Sequence, residues 1–111
     1  MKANERAKRI RQTKAEIIRD VKKGIVPASV ESFGDLHDYV DANCYGGMRD
    51  DDMKIMNDEN EHELDPAAPN VCTFDDLNII QDTVHAWIQE GGIFSAIERS
   101  RHNRMRRDGR A

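Results

Sequence analysis

The clearest structural signal in this chain of 111 residues comes from residues 73–92, which read TFDDLNIIQDTVHAWIQEGG. Their large apolar side chains recur mostly every three or four positions, the spacing of one face of an α-helix. They are Phe74, Leu77, Ile80, Val84, Trp87 and Ile88. Thr73 can cap the start of this helix and Gly91-Gly92 can end it. The stretch therefore predicts an amphipathic helix that directs one face into a core.

A similar capping pattern occurs earlier, in the segment SFGDL at residues 32–36. The side chain of Ser32 can accept a hydrogen bond from the backbone of Asp35, whose carboxylate can reach back in return. Apolar residues follow at helical spacing, and a glycine pair ends the segment; they are Phe33, Leu36, Val40 and Gly46-Gly47. We expect a second helix here that packs its apolar face on the first one described.

Two further helices are predicted nearer the ends of the chain. Residues 4–23 place an apolar stripe next to a basic face, and Gly24 suits the left-handed residue that follows many helices. Ile93, Phe94 and Ile97 can begin a short fourth helix, after which the apolar pattern fades.

The segment between the second and third helices is the hardest to interpret. Residues 49–65 hold eight acids and two bases, and two prolines follow close together. We expect an irregular loop over about 48–72, with a short helix near 50–57. The predicted fold is a mainly α, small single-domain bundle of three to four helices. It occupies residues 1–98, with an acidic irregular central loop, and a basic C-terminal tail follows at 99–111.

Charge is strongly segregated along the chain, although the net charge is only -4. Residues 1–23 carry +6, residues 24–98 carry -15 and residues 99–111 carry +5. No apolar run approaches the length of a membrane span, and the charged start does not resemble a secretory signal. We therefore expect a cytoplasmic protein with no membrane partner and with its two cysteines, Cys44 and Cys72, as free thiols.

A resemblance adds a biological setting to these expectations. The run SFGDLHDYVDAN at residues 32–43, followed by Gly46-Gly47, resembles a segment of small proteins of bacteriophages and other bacterial mobile elements. The likeness covers residues 26–47. It implies a bacterial cytoplasmic setting and an accessory protein in place of a metabolic enzyme.

Chemistry-bearing motifs are sparse. His37 and Asp41 are four residues apart on one predicted helix and His85 lies on another, so imidazole and carboxylate ligands for zinc are present. The alternative is a surface histidine stabilised by neighbouring acids. No established catalytic motif occurs, so we expect no catalytic residue, no enzyme activity and no cofactor, with a small metal-dependent enzyme as the remaining alternative.

Binding is the favoured function class. The leading hypothesis is a non-enzymatic accessory protein that binds a protein partner through its acidic residues Asp50, Asp51, Asp52, Asp58, Glu59 and Glu61. The alternative is a nucleic-acid-binding protein, since arginine and lysine suit phosphate. Its candidate residues are Lys8, Arg11, Arg19, Lys22, Arg101, Arg104, Arg106 and Arg107. A homodimer is a further option.

Overall fold

Four α-helices dominate the computed structural model, which describes residues 1–48, 52–90 and 92–108, with side chains up to residue 103 in the last range. They are α1 (Ala3–Lys23), α2 (Phe33–Asn43), α3 (Phe74–Gln89) and α4 (Gly92–Asp108). α3 packs against all three of the others. The prediction of a small, mainly α single-domain bundle is confirmed.

Three of the helix boundaries predicted from capping residues are present. Gly24 ends α1 with a φ of 69°, a left-handed conformation that costs glycine little because it has no Cβ. Thr73 and Asp76 form a complete capping box at the start of α3. At the start of α2, the side chain of Ser32 accepts from the backbone of Asp35, but the Asp35 carboxylate accepts from the N–H of Glu31 instead of Ser32.

The core is apolar and draws on every helix. Its fully buried members include Ile17, Leu36, Val40, Ile80, Val84, Ile88 and Ile97. Phe33 and Phe74, expected in this core, are instead 42% and 59% exposed. Each is the first residue of its helix, so its side chain lies at the end of the bundle. Its position around the helix axis is nevertheless the one predicted from the apolar spacing. Phe33 packs on Phe94, with ring centroids 5.3 Å apart.

Asp76 is a buried carboxylate that joins the N-terminal segment to α3. One of its oxygens lies 2.7 Å from the N-terminal ammonium of Met1, and the other lies 2.8 Å from the guanidinium of Arg6. The backbone N–H of Thr73 also donates to it. Burial by itself raises the pKa of Asp76, but the hydrogen bonds from the ammonium, Thr73 and Arg6 outweigh it and lower the pKa to about 2.

The connection between α2 and α3 is mostly irregular but holds one short parallel pairing. Strand β1 (Lys54–Ile55) pairs with strand β2 (Val71–Cys72), with Lys54 opposite Val71. The short helix expected near 50–57 is not found in its described part, residues 52–57, because Lys54 and Ile55 are extended in this pairing. Cys44 and Cys72 are both buried thiols that form no disulfide with each other, as expected, and burial raises the pKa of the Cys72 thiol.

The fourth helix is longer than predicted. α4 continues to Asp108, so most of the Arg-rich segment is helical. Arginine and methionine have high helix propensity, and no glycine or proline interrupts the chain between residues 93 and 108. Within the described ranges, none of the helices combines the length and apolar character needed to cross a membrane.

Candidate nucleic-acid interface

Helix α1 presents two opposite faces. Thr13, Ile17 and Val21 are buried against the bundle. Four cations are exposed on the other side, and at 100° per residue they lie within an arc of about 80° that points away from the buried face. We call them the basic stripe: Lys8, Arg11, Arg19 and Lys22.

The carboxylates of α1 are kept off the basic stripe. Glu5 forms an i,i+4 ion pair along the helix, at 3.1 Å. Glu16 accepts a hydrogen bond from the backbone N–H of Gly46, at 3.2 Å. Asp20 accepts from the hydroxyl of Tyr39, at 3.0 Å. The acids of α1 therefore serve contacts on other sides of the helix and leave the stripe purely cationic.

Other bases of the N-terminal segment have structural roles. Arg6 pairs with Asp76, and the ammonium of Lys14 lies over the ring of Trp87, 5.3 Å from its centroid. Such a cation–π contact favours packing of α1 against α3. None of the four stripe cations forms an ion pair in the part of the chain that the structure describes. The bases of the N-terminal segment thus include a structural set, Arg6 and Lys14, and an available set, the basic stripe.

The two basic ends of the chain meet at a groove between α1 and α4. The groove has a volume of about 440 Å³, and Lys22 and Arg99 both line it. Its other lining residues are Val21, Ala96, Ser100 and Asn103, so no carboxylate contributes. Ser100 fixes the approach of the helices by donating a hydrogen bond to the carbonyl of Val21, at 3.3 Å. Arg99 therefore extends the basic stripe onto a second helix.

The remaining predicted arginines are placed differently. The guanidinium of Arg101 donates to the carbonyl of Pro27, so this half-buried side chain holds α4 against the segment after α1. The side chains of Arg104, Arg106 and Arg107 lie outside the described residues. The sequence prediction had not separated Arg101 from its neighbours, because its partner is 74 positions away.

The predicted acidic residues belong to the connection between α2 and α3. Asp50 and Asp51 fall outside the described residues, whereas Asp52, Asp58, Glu59 and Glu61 are exposed. Asp58 and Glu61 line a recess of about 190 Å³ at the start of α3, which we call the acidic recess. Its other lining residues are Met56, Asn57, Thr73, Phe74 and Asp75. An exposed aromatic ring among acids was not predicted, because Phe74 was assigned to the core.

The three candidate metal ligands come together, but not around a common point. The rings of His37 and His85 are stacked, with centroids 4.2 Å apart and planes 3° from parallel. His85 Nε2 lies 2.9 Å from Asp41 Oδ1. Burial and the neighbouring His85 lower the pKa of His37.

This arrangement differs from a coordination sphere. A histidine nitrogen binds zinc in its ring plane at about 2.0–2.1 Å, so two parallel stacked rings do not aim at one ion. Among the described residues, no group of three or more histidines, cysteines or carboxylates is placed to hold a metal ion. We interpret the group of His37, Asp41 and His85 as a packing contact between α2 and α3.

Comparison with protein-family models, curated proteins and solved structures found no match to this chain. A functional proposal for it therefore rests on the geometry and charge of its surfaces. Of these surfaces, the basic stripe with Arg99 combines five exposed cations, and no carboxylate lies between the four of them on α1.

Proposed function

We propose that this protein acts by binding, and that the basic stripe with Arg99 binds the phosphate backbone of nucleic acid. The observation that carries the proposal is the exposure of Lys8, Arg11, Arg19 and Lys22 on one side of α1, with no carboxylate between them. Lysine and arginine that neutralise phosphates release condensed counterions, which supplies most of the free energy of non-specific binding. Arg99 adds a fifth cation beside Lys22.

The acidic middle of the chain does not cancel this attraction. The buried face of α1, on which α3 packs, lies opposite the stripe, so the width of a helix, about 10–12 Å, separates the acids of α3 from it. The Debye length at physiological ionic strength is about 8 Å, so charges at that distance are largely screened. The potential that a polyanion meets at the stripe is therefore positive despite the net charge of -4.

Charge reversal on the stripe tests the proposal. We expect Arg11→Glu/Arg19→Glu to weaken binding of a fluorescent 20-base-pair DNA at 0.1 M salt about 100-fold. The variant removes two phosphate contacts, and each contact releases roughly 0.9 counterion. Fluorescence anisotropy measures the affinity. The matched control is Lys2→Glu/Lys54→Glu, which makes the same change in net charge at two exposed bases outside the stripe. Absence of binding by the native chain at 50 mM salt, or an equal loss in the control, would reject the proposal.

The biological setting is part of the same proposal. The resemblance of residues 32–43 to proteins of bacteriophages and mobile elements supports an accessory role for such a non-enzymatic binding protein. The basic stripe makes nucleic acid the proposed partner of such a protein.

A second candidate function is recognition of a basic protein segment at the acidic recess. Phe74 is 59% exposed there, beside Asp58, Glu61 and Asp75. An aromatic face with carboxylates near it suits a guanidinium, which stacks on rings and pairs with carboxylates in a bidentate way.

A peptide-binding assay tests this second function. The probe is a labelled peptide with the sequence of residues 99–111, which contains six arginines. We expect Asp58→Lys/Glu61→Lys to weaken its binding at least tenfold, whereas Asp82→Lys/Glu98→Lys, at exposed acids elsewhere, leaves it within about twofold. Equal weakening in both variants would show that the peptide responds only to net charge.

A further inference from the structure

We infer that the ligand of the basic stripe is B-form duplex DNA, held across its major groove by two pairs of cations. The inference rests on the proposed function and specifies its ligand. One pair is Lys8 and Arg11, and the other is Arg19 and Lys22. The two members of a pair are three residues apart on the exposed side of α1. The eight residues from Arg11 to Arg19 rise by about 12 Å along the helix. The major groove of B-form DNA is also about 12 Å wide, so each pair faces one phosphate backbone.

Ala15, the residue midway between the two cation pairs, permits a close approach of α1 to the DNA. Ala15 is exposed and lies at the middle of the arc that the four cations occupy. Its methyl group is the smallest side chain that maintains full helix propensity. The backbone of α1 can therefore come near the mouth of the groove while the longer cations on either side reach outward to the phosphates.

The absence of aromatic residues from α1 favours a duplex over a single strand. Proteins that bind single strands commonly stack bases on aromatic side chains, and the 21 residues of α1 contain none. The exposed rings of Phe33 and Phe74 belong to the first turns of α2 and α3. The tryptophan and tyrosine that contact α1, Trp87 and Tyr39, meet it through Lys14 and Asp20, off the stripe.

The number of cations fixes the expected response to salt. Four stripe residues and Arg99 make five phosphate contacts, and each contributes a slope of about -0.9 on a plot of log affinity against log salt concentration. We expect a slope of about -4.5 for duplex DNA. Lys and Arg contacts to phosphate carry no sequence information, so two duplexes of different sequence bind with affinities within about threefold of each other.

The test compares four fluorescent ligands by anisotropy with the full chain. They are two 20-base-pair DNA duplexes of unrelated sequence, a 20-base-pair RNA duplex and a 20-nucleotide oligo(dT). We expect the DNA duplexes to bind at least tenfold more tightly than the other two, because the major groove of A-form RNA is deep and narrow. Equal affinity for oligo(dT) or for duplex RNA would overturn the inference and leave the proposed function intact. Binding to none of the four would overturn both.

A steric variant tests the docking geometry without changing charge. Ala15→Leu places three extra carbon atoms between the cation pairs and keeps a good helix former, so we expect about tenfold weaker binding to duplex DNA and unchanged binding to oligo(dT). Ala86→Leu is the matched control, since Ala86 is an exposed alanine on α3. Circular dichroism checks that both variants fold. An unchanged affinity of Ala15→Leu for duplex DNA would contradict docking across the groove.

Discussion

Replacing Asp76 with alanine is expected to lower the free energy of unfolding by about 3–5 kcal/mol, the usual cost of removing one partner of a buried ion pair. The substitution leaves the ammonium of Met1 buried without its carboxylate and removes the partner of Arg6. It also breaks the capping box with Thr73. Urea denaturation followed by circular dichroism measures the change.

The neighbouring acid provides a matched control. Asp75 lies in the same first turn of α3 but is exposed. Asp75→Ala loses only a favourable interaction with the helix dipole, which is worth less than about 1 kcal/mol. If both alanine variants unfolded at the same urea concentration, Asp76 would have no special role in holding α1 to α3.

The stabilisation by Asp76 is also expected to depend on pH. Its pKa is about 2 in the folded chain, below the ordinary value of 3.8. The carboxylate therefore contributes fully above about pH 4, and this contribution is lost as the pH falls toward 2. Urea midpoints at several pH values should show the native chain and Asp76→Ala converging below pH 4. A constant difference between them from pH 7 to pH 2.5 would exclude this linkage.

Replacing Ile80 with alanine is expected to lower the free energy of unfolding by about 2–5 kcal/mol. Ile80 is fully buried on α3, the helix that contacts all the others, so the shorter side chain leaves a cavity in the centre of the core. The same change at the adjacent Ile79, which is 43% exposed, should cost less than about 1 kcal/mol.

This neighbouring pair tests the orientation of α3 directly. Both variants remove the same atoms from the same helix, so their difference in urea midpoint depends on which side of the helix faces the core. A larger loss at Ile79 than at Ile80 would mean that α3 is rotated relative to the arrangement described above.

Local signals in the sequence predicted the helices well. The capping residues Ser32 and Thr73 and the glycine at position 24 act on backbone groups within four positions, so their effect can be read without knowing the rest of the fold. The same short range explains the misplacement of Phe33 and Phe74. Periodicity gives the direction of a side chain around its helix, but not whether the partner helix extends far enough along the axis to cover it.

Contacts between distant parts of the chain could not be predicted in this way. The exposed side of α1 follows from its period of 3.6 residues, so the basic stripe was visible in the sequence. The sequence did not predict which of the nine bases in residues 1–23 would contact other parts of the chain. Arg6 and Lys14 meet residues about 70 positions away. The stacking of His37 on His85 likewise depends on how α2 and α3 are docked. The residue types and the four-residue spacing of His37 and Asp41 had left a metal site as one alternative.

Trp87 is an intrinsic fluorophore at the interface between α1 and α3, where its ring contacts Lys14. Trp87 is the single tryptophan of the chain and is half-buried. Its emission should shift to longer wavelength when α1 separates from α3, because water then reaches the indole ring. Lys14 is not part of the basic stripe. A ligand bound to the stripe therefore leaves the environment of the Trp87 indole ring unchanged. Emission from the native chain can thus distinguish loss of helix packing from occupation of the outer face of α1 without any added label.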